Sequence, residues 1–186
     1  TRTIQASGIL ELGLDIGRNH KIATTSLLLR NTDDEASQFV GTNADERSDV
    51  IVRRLRWVER ELFTQQVRGE HDLPNLELKW NYGLSLADRL EPNRRISQYD
   101  RSIGTDNPFG LSAKPEGNRR FFSDLDDTAH EVRASARYLL SEAKAGRAKS
   151  YVEVGGATLN RERIVETRRY KFQGPAGQVE SLDVLF

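Results

Sequence analysis

Two carboxylates of the chain, Asp124 and Asp126, are separated by a single residue and are followed by Thr128. One carboxylate of such a pair can attack phosphorus as a nucleophile, and the other can donate and accept a proton. A divalent cation beside them would neutralise the charge of a phosphate group. The segment from Ser123 to Thr128 is therefore the one stretch whose residue types and spacing suggest catalysis.

This segment resembles the DxDxT signature of the haloacid-dehalogenase-like phosphatases. The resemblance implies that Asp124 is the nucleophile and Asp126 the acid and base, with Mg²⁺ holding the phosphate. The match covers five residues, and residues 118–122 before it are not the apolar strand that precedes the family motif. The alternative is a helix N-terminus, with Ser123 as the cap and the aspartates at the positive end of the helix dipole. We favour this alternative and predict no catalytic residue and no cofactor.

The three histidines, His20, His71 and His130, lie far apart in the sequence and have no metal-ligand spacing. A metal site would need them, or carboxylates, to converge in space. The chain also contains no cysteine, which excludes disulfides, zinc–thiolate sites and cysteine nucleophiles. We therefore predict no metal site.

The clearest sign of a binding surface lies between residues 51 and 63. Apolar residues recur there at steps of four, three and four, which predicts an amphipathic helix. Three arginines gather opposite the apolar stripe of that helix, flanked by two aromatic residues. Because tryptophan and arginine are enriched at interaction hot spots, the pattern predicts a partner-binding surface. Its residues are Arg53, Arg56, Trp57, Arg60 and Phe63. The alternative is a solvated charged face, in which Asp49 pairs with Arg53 one turn away.

A second basic and aromatic segment lies near the C-terminus. Arg168, Arg169, Tyr170 and Lys171 interleave cations with an aromatic ring on a predicted strand. An exposed surface of this type can stack bases and hold phosphates. These residues are therefore possible nucleic-acid-binding positions. The alternative, which we favour, is a half-buried strand whose basic side chains face solvent.

The elements that would position these residues alternate between strand and helix patterns. We predict an α+β fold in one domain, residues 1–186, with a largely antiparallel sheet and helices packed on one of its faces. The sheet would combine an N-terminal hairpin and a C-terminal three-stranded meander, and a long loop would occupy residues 92–120. The predicted strands are 9–16, 21–30, 76–82, 151–154, 163–172 and 179–186, and the predicted helices start near residues 43, 84 and 123.

Composition narrows the class of protein. The chain has 186 residues, with 28 basic and 28 acidic side chains, so it lacks the basic excess of a dedicated nucleic-acid binder. No apolar run approaches about twenty residues, and the N-terminus shows no secretory pattern. We therefore expect a cytoplasmic protein with no membrane partner. The absence of an initiator methionine indicates its removal or, alternatively, a processed fragment.

Three functions are compatible with these patterns. The first is a non-enzymatic assembly or interaction subunit, part of a homo-oligomer or a multi-subunit complex. The second is a nucleic-acid-binding module that uses the arginine and aromatic positions. The third is the metal-dependent phosphatase that Asp124 and Asp126 would serve. We favour the first, because no catalytic constellation appears and the aromatic–arginine surface exceeds what one core would cover.

Overall fold

The computed structural model describes residues 1–114, 117–141 and 150–172, and the strands and their turns in this part of the chain are joined by short irregular segments with no helix. Six long strands and one short strand form a single antiparallel sheet in the order β1-β2-β3-β4-β6-β7, with β5 paired to β4. Successive long strands are therefore neighbours, as in a meander. The strands are β1 Arg2–Ile16, β2 His20–Asn43, β3 Ser48–Leu73, β4 Leu76–Ser102, β5 Gly110–Leu111, β6 Arg119–Ser141 and β7 Ser150–Lys171.

The predicted α+β class is wrong, since the described residues contain no helix. Residues 51–62, predicted as an amphipathic helix, lie within β3, where they pair with β2 throughout and with β4 except at residues 56–58. The apolar residues that suggested one helical stripe fall on opposite sides of this strand. Ile51 and Leu55 lie on one face, and Val58 and Leu62 lie on the other, because successive side chains of a strand alternate.

The second predicted helix and the short helix are wrong for the same reason. Residues 123–141 belong to β6, where Leu125 and Val132 face opposite sides of the sheet. The short helix predicted from Leu84 to Glu91 is an uninterrupted part of β4.

The long loop predicted at 92–120 is mostly replaced by strand. Strand β4 continues to Ser102, β5 adds a two-residue bridge, and β6 begins at Arg119. Pro92, which suggested the end of an element, lies at a register shift between Glu91 and Arg94. A bulge is the position at which a sheet tolerates a proline that cannot donate to the ladder.

The N-terminal hairpin is confirmed. Strands β1 and β2 pair from Arg2–Asp34 to Ile16–His20, and Gly17 adopts a positive φ of 67° in the turn. The predicted strand at 76–82 is also confirmed as the start of β4.

The C-terminal meander is corrected in part. Gly155 and Gly156, predicted as a turn, lie inside β7, which runs without interruption through both proposed strands. The last predicted strand, 179–186, lies outside the described residues.

The described residues form one layer with little interior. Only Val50, Val58 and Tyr99 are buried apolar residues in this part of the chain. A sheet normally buries at least one face against a second layer of structure. Here neither face is covered by another described element, so both faces and both outer strands are available for contacts.

No helix that is long and apolar enough to cross a membrane occurs among the residues that the structure describes.

Candidate interaction surfaces

The pairing register divides the side chains between two faces. Residues directly opposite one another on antiparallel strands project to the same side of the sheet. We call one side the apolar face, and its central row contains Leu12, Thr24, Val67, Tyr82, Val132 and Thr158. We call the other side the charged face, and its neighbouring row contains Gly13, Ala23, Arg68, Asn81, Arg133 and Ala157.

Ion pairs between strands connect the charged face. Arg68 on β3 donates to Glu11 on β1 at 2.6 Å, although β2 lies between these two strands. Arg137 on β6 donates to Glu77 on β4 at 3.1 Å and to Glu153 on β7 at 2.8 Å. These hydrogen bonds raise the pKa of Arg137, chiefly through Glu153. These two arginines are thus engaged with carboxylates of neighbouring strands.

The most deeply buried carboxylate of the sheet is Glu91, whose side chain is 1% exposed. It accepts hydrogen bonds from Arg56 at 3.3 Å and from Arg89 at 2.8 Å, and Arg94 Nε lies 3.3 Å from Oε1. The cluster sits beside two of the three register shifts in the described sheet, those at Leu55–Glu59 and Glu91–Arg94. A buried carboxylate needs such partners, because an unpaired buried charge is strongly destabilising.

The proposed phosphatase segment lies inside a strand, with neighbours on both sides. Asp124 and Asp126 project from the apolar face, and Asp127 projects from the charged face. Asp127 accepts hydrogen bonds from Arg161 and Arg163, each at 2.7 Å, and these bonds lower its pKa to about 2, with Arg161 the larger cause. The carboxylates therefore begin neither a helix nor a loop after a strand. No group of three metal-ligating side chains occurs in the described ranges.

The five predicted partner-binding residues are divided between the two faces. Arg53, Trp57 and Phe63 lie on the apolar face, and Arg56 and Arg60 lie on the charged face. The helical stripe that united them does not exist. Trp57 is 39% exposed and its indole donates to Glu59 at 3.0 Å.

The arginines of that set have acidic or polar partners. Arg60 donates to Asp33 at 2.5 Å, and this hydrogen bond is the main reason that the pKa of Asp33 is lowered. Arg56 is shared by Glu35 and Glu91, and Arg53 donates to Gln38 at 2.9 Å. These side chains therefore help to join β3 to its neighbouring strands. Sequence reasoning missed Asp33, Glu35 and Glu91, because these carboxylates lie on β2 and β4 whereas the arginines lie on β3.

The second predicted set lies on the outer strand β7. Arg168 donates to Glu166 at 3.3 Å, and Arg169 lies 5.6 Å above the ring centroid of Phe121. Tyr170 packs edge-on against Phe122, with ring centroids 5.8 Å apart. Lys171 pairs with Arg119 in the ladder. The structure does not bring this set to the one on β3, because β4 and β6 lie between them.

Histidines that are distant in sequence meet on the apolar face. His20 and His71 approach to 3.0 Å between their Nδ1 atoms, and the Trp80 indole donates to His71 Nε2 at 3.0 Å. Since His71 Nε2 accepts, Nδ1 of a neutral His71 donates to His20. His130 Nδ1 lies 2.9 Å from the hydroxyl of Tyr82. The polar tips of these aromatic residues are thus paired within the face itself.

The two outer strands are open. Every residue of β1, from Arg2 to Ile16, and of β7, from Ser150 to Lys171, is exposed. Each is paired on one side only in the described sheet. An outer strand presents a row of unpaired backbone donors and acceptors, which is a template for pairing with another strand.

The described fold defines an all-β, antiparallel sheet protein with two open edges and two chemically different faces. No protein-family model matches the chain, and no curated protein matches it. A function is therefore inferred from the surfaces of the sheet itself.

Proposed function

We propose that the protein is a non-enzymatic assembly subunit that joins further copies of itself through its open edges. The observation that carries this proposal is the exposure of β1 and β7 along their whole lengths. Natural sheets usually protect such edges by shortness, proline or a covering element. Strand β1 has 15 residues and β7 has 22, and neither contains a proline.

The topology makes the two edges compatible with each other. Neighbouring long strands alternate in direction, and four of them lie between the two edge strands, so β1 and β7 run in opposite directions. When a second copy is placed beside the first in the same orientation, its β7 lies antiparallel to β1. The resulting contact is head-to-tail, so each copy keeps one open edge until a ring closes.

Pairing along β1 would be strong enough to hold copies together. A paired strand of 15 residues forms about fifteen backbone hydrogen bonds, each contributing about 0.5–1.5 kcal/mol net. Association costs about 4–15 kcal/mol in lost freedom of motion. Fifteen such bonds together contribute about 8–22 kcal/mol, which matches or exceeds this cost over most of its range. Contacts between side chains of the paired strands add to the favourable side.

The exposed side chain of Trp57 is compatible with a further contact to a protein partner. The role of Arg53, Arg56, Trp57, Arg60 and Phe63 in partner binding stays a prediction.

Nucleic-acid binding also stays a prediction. A nucleic-acid surface would be favoured by one continuous basic patch. Glu35, Asp33 and Glu91 interrupt the arginines of β3, and Glu166 interrupts those of β7, so this alternation favours the assembly function.

Cysteine cross-linking provides the test, because the natural chain has no cysteine. Glu11 on β1 and Leu159 on β7 lie in the same row of the charged face. We expect a chain carrying Glu11→Cys with one cysteine in β7, at 157, 159, 161 or 163, to form a ladder of covalent oligomers after mild oxidation. The position that reacts best would give the register of the contact.

A matched control replaces the edge residue by an interior one in the same row. Gln66 lies on β3 between two paired strands, so Gln66→Cys combined with Leu159→Cys should give no ladder. Light scattering of the unmodified chain should give a multiple of 21.1 kDa. A mass of one chain at all concentrations, or equal ladders from the edge and interior pairs, would overturn the proposal.

A further inference from the structure

We propose that His20 and His71 form a two-histidine site for a divalent transition metal, with Cu²⁺ bound most tightly. The two residues are paired directly across β2 and β3, although 51 positions separate them in the sequence. The sequence-based expectation of no metal site depended on ligand spacing along the chain, and strand pairing creates a proximity that such spacing does not show. This inference does not depend on pairing of the edge strands.

The backbone ladder holds the two imidazole rings close together. The N–H of Asp72 donates to the carbonyl of Asn19 at 2.7 Å, so Asn19 and Asp72 form a hydrogen-bonded pair. The two kinds of pair alternate along an antiparallel ladder, so the next pair, His20 and His71, is of the non-hydrogen-bonded kind. Side chains approach most closely at such pairs. Paired strands therefore position both rings.

The spacing of the ring nitrogens suits two ligands of one metal ion. The Nδ1 atoms lie 3.0 Å apart. Imidazole nitrogens bind these metals at about 2.0–2.1 Å. Two nitrogens at that distance are about 2.9 Å apart as neighbours in a square plane and about 3.3 Å apart in a tetrahedron. The observed spacing is closer to the square-planar value, which is the geometry of Cu²⁺ and Ni²⁺, and Cu²⁺ binds nitrogen ligands more tightly than Ni²⁺ or Zn²⁺.

The surroundings of the pair select the class of metal. Both rings are half-buried on the apolar face, with Ile16 and Leu78 beside them in the same row and Trp80 in the next row. Charged residues adjacent in sequence, such as Lys21 and Asp72, project from the charged face. The pair thus offers nitrogen ligands without a carboxylate from its own described row. Nitrogen ligands suit Cu²⁺, Ni²⁺ and Zn²⁺, whereas Mg²⁺ and Ca²⁺ require oxygen ligands.

Metal binding would change the tautomer of His71. The indole of Trp80 donates to His71 Nε2 at 3.0 Å, so a neutral His71 carries its proton on Nδ1. A metal at Nδ1 takes the lone pair of that atom, so the proton moves to Nε2 and the ring stays neutral, with no net release of a proton. Because Nε2 then donates instead of accepting, the hydrogen bond from Trp80 is lost. Trp80 therefore reports occupancy of the site.

The third histidine lies too far away to join the pair. His130 is on β6, six residues from Ala136, which shares a row with the pair, so about 20 Å of strand separates them. Its Nδ1 lies 2.9 Å from the hydroxyl of Tyr82. In the described ranges no third histidine or carboxylate completes a cluster with the pair. The site therefore has two protein ligands and leaves the other metal positions to water, unlike a closed structural site.

The two tryptophans provide the first test. The ring centroids of Trp80 and His71 are 6.5 Å apart, whereas Trp57 lies fourteen residues from His71 along β3, about 46 Å away. Trp57→Phe and Trp80→Phe each leave one tryptophan. On titration with CuCl₂, we expect the fluorescence of Trp80 to be mostly quenched and that of Trp57 to stay nearly unchanged. Equal quenching of both residues would overturn the proposal.

Substitution of the ligands provides the second test. His20→Gln and His71→Gln each remove one metal ligand, and the natural chain has no cysteine that would compete for copper. We expect each variant to raise the dissociation constant for Cu²⁺, measured by calorimetry, about tenfold or more, because even the loss of a group that only orients a ligand costs about 10–100-fold. His130→Gln is the matched control and should leave the constant unchanged.

Two results would refute the site. One is equal affinity for Cu²⁺ in the unmodified chain, His20→Gln and His71→Gln, each with an unchanged circular dichroism spectrum. The other is tighter binding of Zn²⁺ than of Cu²⁺, which would contradict the expected order of affinities. Cross-linking of the edge strands reports only on the assembly function, so either proposal can fail while the other stands.

Discussion

Removing the charge of Glu91 should destabilise the sheet more than removing any exposed carboxylate. Glu91→Gln keeps the size of the side chain but leaves Arg56, Arg89 and Arg94 without their shared anion. Loss of one member of a buried ion pair costs about 3–5 kcal/mol. The three arginines are each about one-third exposed, at 30%, 31% and 31%, so water screens part of the change. We therefore expect the lower end of that range, about 3 kcal/mol.

Urea denaturation followed by circular dichroism measures this loss. With a denaturant slope of about 2 kcal/mol per molar, the midpoint should fall by about 1.5 M. Glu166→Gln is the matched control, because its ion pair with Arg168 has side chains that are 65% and 67% exposed. Such a pair contributes less than about 1 kcal/mol, so the midpoint should move by less than about 0.5 M. If the two variants shifted the midpoint equally, Glu91 would not be the anchor of the cluster.

Three further outcomes follow from the same structure. The pKa of Asp127 is lowered to about 2 in the folded chain from an ordinary 3.8, so ionised Asp127 stabilises the fold above pH 3.8 and this contribution is lost as the pH falls through about 2. In Asp127→Asn, the free energy of unfolding should therefore fall less steeply with decreasing pH in this range. An unchanged slope would contradict the role of Asp127. Gly69→Ala should displace the indole of Trp80, because a Cβ at residue 69 overlaps the ring. The variant should lower the free energy of unfolding by about 1–3 kcal/mol and change the fluorescence of Trp80. Gly8→Ala is the control, because a Cβ there has nothing within 4 Å and should change neither quantity. Because carboxylates interrupt the arginines of β3 and β7, oligonucleotides at low salt should not bind the chain, and a mobility shift that fades steeply with salt would show the opposite.

Local signals were sufficient for the first hairpin. A turn at Gly17–Asn19 between an alternating segment and one rich in Ile, Thr and Leu predicts it, and these patterns and the glycine requirement are properties of neighbouring residues. Strand β6 also carries a period-two signal that sequence reasoning overlooked. Glu131, Arg133 and Arg137 alternate with uncharged residues, although Leu125, Ala129, Val132 and Ala136 also fit helical spacing. Short alanine-rich segments satisfy both periods, so local pattern does not decide between them.

The candidate surfaces were predicted in residue type but not in arrangement. Arginine and tryptophan on residues 53–63 were identified as notable, yet the strand sends Trp57 and Arg56 to opposite sides. The carboxylates that engage these arginines were not identified, because Glu91 comes from β4 and Asp33 from β2.

Patterns among neighbouring residues specify the first hairpin and the strand at 76–82, and composition gives the balance of charge and the absence of cysteine chemistry. Pairing between distant segments makes residues 51–62 and 123–141 strands, brings three arginines to Glu91 and leaves β1 and β7 as the edges. The physical reason is that a strand is completed by hydrogen bonds to other strands, and the partner of a residue here lies tens of positions away, as with Asn31 and Arg60. A helix satisfies its hydrogen bonds locally, so local patterns predict helices even where pairing across a sheet prevails.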